Sequence, residues 1–268
     1  MAVRRNFTTM NQAERDLFTQ TLRTFKTTPA ASGRTYNWYI DQHVTYFART
    51  PDNISHAHQS PSFFPWHREY LRLLELDLQS VANNTNLFIP YWDWTISTSP
   101  FVANFLGTTG PSVSGNFSRT WGWSVYRSSI STNNLQRRVG QNASRPTTTN
   151  VNTVQNNYAT YDNAPWNSTV SNSYRNRNEI ELHNRVHNYV GGHMATREAP
   201  NDPAFWLHHC NIDRLWWRWQ SVNNGSRINA YRPTGGTANV IDVNDTMQPF
   251  GQTPASVANN ADIGVSYV

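Results

Sequence analysis

The chain has 268 residues, a formal net charge of +5 and 37% apolar residues. That length allows one large domain or two small ones with a real core, and the composition is globular, which excludes a disordered chain. No apolar run approaches the roughly 20 residues of a membrane span, and the single cysteine, Cys210, excludes an internal disulfide.

With 11 Trp, 12 Tyr and 12 Phe, much of the buried area must be aromatic. Nearly all the positive charge is arginine, since Lys26 is the only lysine. The arginines are scattered singly or in pairs, as on a solvated surface rather than a nucleic-acid stripe. The start, "MAVRRNFTTMNQAERDLF", has no hydrophobic run after its two arginines, so no export signal is expected.

The first helix is expected over "NQAERDLFTQTLRTFK", where Asn11 and Glu14 form a capping box and Leu17, Phe18, Thr21, Leu22 and Phe25 an apolar face. "YNWYIDQHVTYFA" places Tyr36, Ile40, His43 and Phe47 at helical spacing, so His43 points the way the core residues point. Helical period resumes at Pro65, with His67, Leu71, Leu74 and Leu78 on one stripe. Residues 95 to 172, rich in Ser, Thr, Asn and Gly, show no sustained period and read as long loops with a few short strands at most. No linker or internal repeat marks a second domain.

Helix returns at "NEIELHNRVHNYV", where His183 and His187 lie one turn apart on one face, and the two glycines after Val190 end it. The last helix, "PAFWLHHCNIDRLWWRWQSV", opens with Pro203 and carries Phe205, Ile212, Trp216 and Trp219 as a bulky stripe beside His208 and His209. The tail to Val268 reads as loop and extended chain. The expected fold class is mainly α: a helical-bundle core with long irregular loops, forming one domain over residues 1–268.

A lone histidine on an apolar face is more often a hydrogen-bonded core residue than a ligand. Here they recur on separate core-facing helices. His43, His58 and His67 make one group of three, and His183 and His187 with one of His208 or His209 make a second. Converging neutral imidazoles with no cysteine pair favour Zn, Cu, Fe or Ni over Mg or Ca. The scarcity of carboxylates on the same faces argues against a di-iron bundle, and "HNRVH" lacks the glutamate of a zinc-protease motif. An all-histidine two-metal site points to copper.

The blocks "SPSFFPWHREYL", "IPYWDW", "LHNRVHNYVGGHM" and "NDPAFWLHHCNIDRLWWRWQ" resemble the signature segments of the tyrosinase family of type-3 copper proteins, in particular its short bacterial members. The similarity runs over nearly the whole chain and is weakest at residues 95 to 172. It implies two copper ions, the first held by His43, His58 and His67 and the second by His183, His187 and His209, with O2 as co-substrate. His56, His193 and His208 are then non-ligands, and Asp213, one turn after His209, a carboxylate supporting the ligands from behind. The implied reaction is ortho-hydroxylation of monophenols and oxidation of o-diphenols to o-quinones. Catechol oxidases, o-aminophenol oxidases and haemocyanin-like oxygen carriers share the ligand set.

In the family an Asn after the first ligand of the second copper and an upstream Glu orient a water that deprotonates the phenol. Asn184 matches the first and Glu179 the second, across a spacer shorter than usual, with Glu181 as the fallback. Asn188, Met194 and Arg197 fall at positions lining the pocket mouth, and an arginine there could pair with a substrate carboxylate. The absence of cysteine two residues before His58, where His56 stands, excludes a His–Cys thioether. A small phenolic or catecholic substrate is implied, with no nucleic-acid or membrane partner. The short bacterial members also suggest a small copper-loading partner protein, so the chain is expected either in the cytoplasm or exported with such a partner.

Overall fold

The computed structural model describes residues 2–130, 133–166 and 172–268. Helix α1, Gln12–Phe25, begins where Asn11 closes the expected capping box: its side chain accepts from the Glu14 N–H at 2.9 Å and its own N–H donates to the Glu14 carboxylate at 3.0 Å. The box satisfies two backbone donors that a helix start otherwise leaves open. Helix α2 spans Tyr36–Tyr46, and α3, Phe63–Ala82, starts two residues before Pro65 and ends on Asn83 in the left-handed region.

Within residues 95 to 172 the sequence suggested long loops with a few short strands at most, yet Thr148–Asn157 forms a helix, α4. Thr147 and Asn150 supply a second capping box, and Val151 and Val154 anchor one face. Its Asn- and Thr-rich sequence carries little intrinsic helical preference, so cap and packing decide the outcome. The two short strands lie elsewhere. β1, Ala2–Arg4, pairs in parallel with β2, Val265–Tyr267, and brings the two ends of the chain together.

The expected helix around residues 178–190 is divided. A single turn of α-helix, α5 (Tyr174–Arg177), passes into a π-helical turn, Asn178–His183, and then into α6, Asn184–Val190. The glycines that follow are required by space. Both have positive φ, and a Cβ on Gly192 would lie 2.1 Å from the Gln136 carbonyl, to which the neighbouring His193 N–H bonds. Helix α7, Ala204–Gln220, follows Pro203 and packs against α3.

The core between these helices is aromatic, as the composition requires. Seven tryptophans, among them Trp66, Trp206, Trp216 and Trp219, are among the largest fully buried side chains. Phe64 and Trp219 stack on opposite sides of Tyr174, at 5.4 and 4.4 Å between ring centroids. Charge is buried too, and it is paired. Arg68 on α3 meets Asp213 on α7 at 2.6 Å, and Arg4 of β1 reaches Glu75 at 3.1 Å and Asp213 at 3.3 Å. Arg137 makes a two-bonded fork with Asp202 at 2.7 Å per bond.

Lys26 is half-buried, its ammonium 4.9 Å from the Tyr36 ring and 4.8 Å from the Trp123 ring, and it donates to the Asn37 side chain. Cys210 is fully buried on α7, with its thiol against the Ile89 carbonyl. No helix among the described residues is long and apolar enough to cross a membrane.

Candidate metal centre

Five helical elements carry six of the nine histidines into one place. His43 comes from α2, His67 from α3, His183 and His187 from the π turn and α6, and His208 and His209 from α7, while His58 comes from the loop before α3. They form two clusters, His43–His58–His67 and His183–His187–His208–His209, each with its possible ligand atoms within 4.8 Å of one another. The clusters abut: the His67 and His209 rings stack at 4.3 Å between centroids. Phe205, one turn before His209, lies between them, 4.9 Å from the His43 ring and 4.1 Å from the His209 ring.

Hydrogen bonds fix which nitrogen faces inward in four of the rings. The Nδ1–H of His43 donates to the Arg197 carbonyl at 2.7 Å, that of His67 to the Phe63 carbonyl at 2.8 Å and that of His187 to the Met194 carbonyl at 2.5 Å. His183 Nδ1 faces the Asn184 side-chain oxygen at 2.8 Å. A carbonyl only accepts, so the proton sits on Nδ1 and the Nε2 lone pair is free. The Nε2 atoms of His43 and His67 are buried with no hydrogen-bond partner among the described residues. The Nε2 atoms of His183 and His187 each lie 3.2 Å from His209 Nε2.

Burial is the main cause holding all these imidazoliums below their ordinary pKa, with His43 brought to about 3 and His187 to about 4. At His58, His67, His183 and His209 the neighbouring rings push the same way. The result is neutral rings with orphaned lone pairs turned on common points. That donor set fits a borderline transition metal and offers nothing to a hard cation.

The adjacent pair His208 and His209, inseparable by helical stripe, differ in their bonds. The Trp94 indole N–H donates to His208 Nδ1 at 3.1 Å, which puts the proton of a neutral ring on Nε2. His208 thus presents no inward lone pair, whereas His209 Nε2 lies against His183 and His187. His193 has both ring nitrogens engaged, with the Gln136 N–H and the Ser128 hydroxyl, and His56 Nδ1 faces the Gln248 N–H.

A cleft of about 470 Å³ opens over the clusters, and Glu179, Asn184, Asn188 and Met194 line it. Glu179 reaches it because of the π turn. One carboxylate oxygen accepts from the Gln59 N–H at 2.7 Å and the other from the Arg175 guanidinium at 2.9 Å. Arg175 in turn donates to Asp162 at 2.8 Å. Burial raises the Glu179 carboxyl above its ordinary pKa, while Arg175 and the Gln59 N–H pull the other way. Glu181 lies outside this arrangement, half-exposed and paired with Arg177.

Two expected residues stand elsewhere. Asp213 touches no histidine: its carboxylate is taken by Arg68, Arg4 and the Tyr267 hydroxyl. One turn beyond His209, the helix turns that side chain toward α3 and β1, so it ties the two ligand-bearing helices together from behind. Arg197 does not line the cleft. Its guanidinium is 61% exposed and pairs with Glu198 at 3.3 Å, and its contribution to the site is the backbone carbonyl that holds His43. The sequence reading missed Arg175, Gln59, Phe205 and Trp94, which touch the site through contacts far apart in the chain. It also passed over Arg49, which lines the cleft.

Comparison with known proteins agrees with this geometry. Residues 33–222 match the family model described as the common central domain of tyrosinase. The tyrosinase of Streptomyces antibioticus is 40% identical, covering 97% of this chain and 97% of its own length. Grixazone synthase of Streptomyces griseus subsp. griseus is 32% identical over 76% of this chain and 79% of its own. Among solved structures, a polyphenol oxidase variant from Thermothelomyces thermophila superposes with a TM-score of 0.73 at 18% identity, over 100% of this chain and 88% of that one. A functional unit of octopus hemocyanin gives 0.65 at 18% identity, over 100% of this chain and 68% of that one, so the fold is common to both.

Proposed function

The chain belongs to the tyrosinase family, and from that premise we propose that it oxidises phenols with O2, hydroxylating monophenols at the ortho carbon and converting o-diphenols to o-quinones. The observation that carries the reading is the pair of abutting clusters of neutral imidazoles, lone pairs inward, beneath an open cleft. His43, His58 and His67 would hold one copper, and His183, His187 and His209 the other. Copper bound there supplies O2 binding and the redox capacity that the side chains lack.

The rest falls to the chain. Phe47, whose ring lies 4.7 Å from that of His58, gives the cleft an apolar wall for the substrate ring. Glu179 and Asn184, which both line the cleft, would hold a water between them. The Asn184 oxygen is occupied by His183 Nδ1, so its amide N–H is the group left for the water oxygen. The water then donates to a Glu179 oxygen and keeps a lone pair for the phenol O–H. Proton transfer runs from phenol to water as the water's own proton moves to Glu179.

The test is to load the protein with copper, count the metal and follow O2 uptake and quinone absorbance with a monophenol and then a catechol. Two coppers per chain with both substrates consumed is the expected outcome. Turnover of the catechol alone would reduce the activity to that of a catechol oxidase, and turnover of neither would overturn the reading.

A further inference from the structure

We propose that Arg49 makes this cleft selective for phenols whose side chain, para to the hydroxyl, carries a carboxylate; the proposal rests on the phenol-oxidase reading above. Two residues lining the cleft bear formal charge, Arg49 and Glu179. Glu179 is buried and already bonded to Arg175 and the Gln59 N–H. Arg49 is exposed, and it forms no ion pair among the described residues. Asp52, the acid nearest in sequence, has its carboxylate engaged by the Thr50 hydroxyl.

The order of residues along the cleft wall sets which end of a substrate meets this charge. Phe47 packs its ring against His58 at 4.7 Å and His43 at 5.6 Å, and Arg49 follows two residues later, on the exposed turn leading away from the histidines. A phenol lying along Phe47 with its hydroxyl toward the clusters directs its para substituent outward, to Arg49. Of the two charged side chains lining the cleft, Glu179 is an anion already bonded within the protein and Arg49 a cation at the mouth, so Arg49 is the side chain that can attract a substrate carboxylate.

The guanidinium is held rather than free to sweep through solvent. Its Nη1 donates to the Asn53 side chain at 2.8 Å, and Asn53 donates to Asn239 at 2.9 Å, tying the turn to a distant part of the chain. Backbone bonds from Asn53 to Thr50 and from Thr50 to Ile54 close the same turn. The remaining N–H groups are free to form a fork on a carboxylate, and little side-chain entropy is left to lose. Arg197, the other arginine near the mouth, has its charge offset by Glu198.

The experiment compares three substrates sharing one ring: 3-(4-hydroxyphenyl)propanoate, its primary amide and tyramine. In R49Q the kcat/KM for the carboxylate should fall about fivefold, carried by KM, the upper end of what a solvent-exposed ion pair gives. The amide should change little. In R49E the carboxylate should fall further and tyramine should gain, and all these differences should shrink at 0.5 M salt. Equal losses on carboxylate and amide would mean that Arg49 only holds the turn, and would overturn the proposal. So would the same discrimination appearing in R197Q instead. Binding of the unreactive pair 3-phenylpropanoate and 3-phenylpropanamide, followed by tryptophan fluorescence, reads the same preference without turnover. A wild-type protein that favours the acid in binding yet oxidises no phenol would refute the phenol-oxidase reading and leave Arg49 as an anion site.

Discussion

Asn184 sits where two duties meet: its oxygen holds the ring of His183, and the residue lines the cleft. Glu179, across the π turn, is bonded to Arg175 and Gln59 but still lines the cleft. If the pair passes the phenol proton, Glu179→Gln should lower monophenol kcat by about 10²-fold, the range of a lost general base, and leave catechol kcat within a few-fold. Steady-state rates on a matched phenol and catechol check this; equal losses on both would remove the proton-transfer role. His43 and His67 were legible because each lies on an apolar stripe, and His183 and His187 because they repeat one helical turn apart, patterns that need no knowledge of the fold; His58, in a loop, has no such pattern. Arg175 and Arg49 were not legible, since one acts through a partner four residues on whose own role depends on the fold, and the other is an exposed arginine among many. Arg197 looked like the substrate's partner from its place after the glycine turn, and the structure turns its side chain to Glu198 instead.

At the scale of elements, the π turn explains how a short spacer still delivers Glu179 to the cleft. A turn with i to i+5 bonding accommodates one more residue than an α-turn, so the side chains before it are rotated relative to those after it. Deleting Ile180 should restore an α-turn and swing Glu179 by about 100° relative to His183, since each helical residue advances by that angle. Monophenol turnover should then fall at least tenfold while two coppers are retained, as checked by metal analysis beside the rate assay. Helical period revealed α1, α2, α3 and α7 because each buries a continuous apolar stripe, and α6 because His183 and His187 repeat one turn apart beside Val186 and Val190. It could not reveal α4, whose ten residues include just two buried valines, nor the π turn, whose sequence reads as ordinary helix. The start of α3 came two residues early because Phe63 and Phe64 are buried under the same aromatic layer as the helix that follows.

Over the whole molecule, the core is a lattice of aromatic rings pierced by a few fully paired arginines, and both ends of the chain are drawn onto it. Arg4 lies between Glu75 of α3 and Asp213 of α7, and the β1–β2 pair covers that junction. None of this was readable from sequence, because strands three residues long carry no period and a buried arginine looks like any other. The same distribution of residues fixes which chemical groups the surface lacks. An o-quinone is an electrophile that adds to thiols, unprotonated amines and imidazoles, so a protein releasing it is exposed to its own product. This chain offers very little to attack: the only thiol is sealed within α7, no histidine is fully exposed, and the only lysine is wedged between two rings. Burial lowers the Lys26 ammonium to about pKa 7, so its protection comes from coverage by Tyr36 and Trp123 rather than from charge. Intact mass after prolonged catechol turnover should therefore show few adducts, and replacing exposed arginines such as Arg119 and Arg232 with lysine should make them accumulate. An arginine-rich, lysine-poor exterior keeps the positive charge while resisting alkylation, because a guanidinium stays protonated where an amine would react.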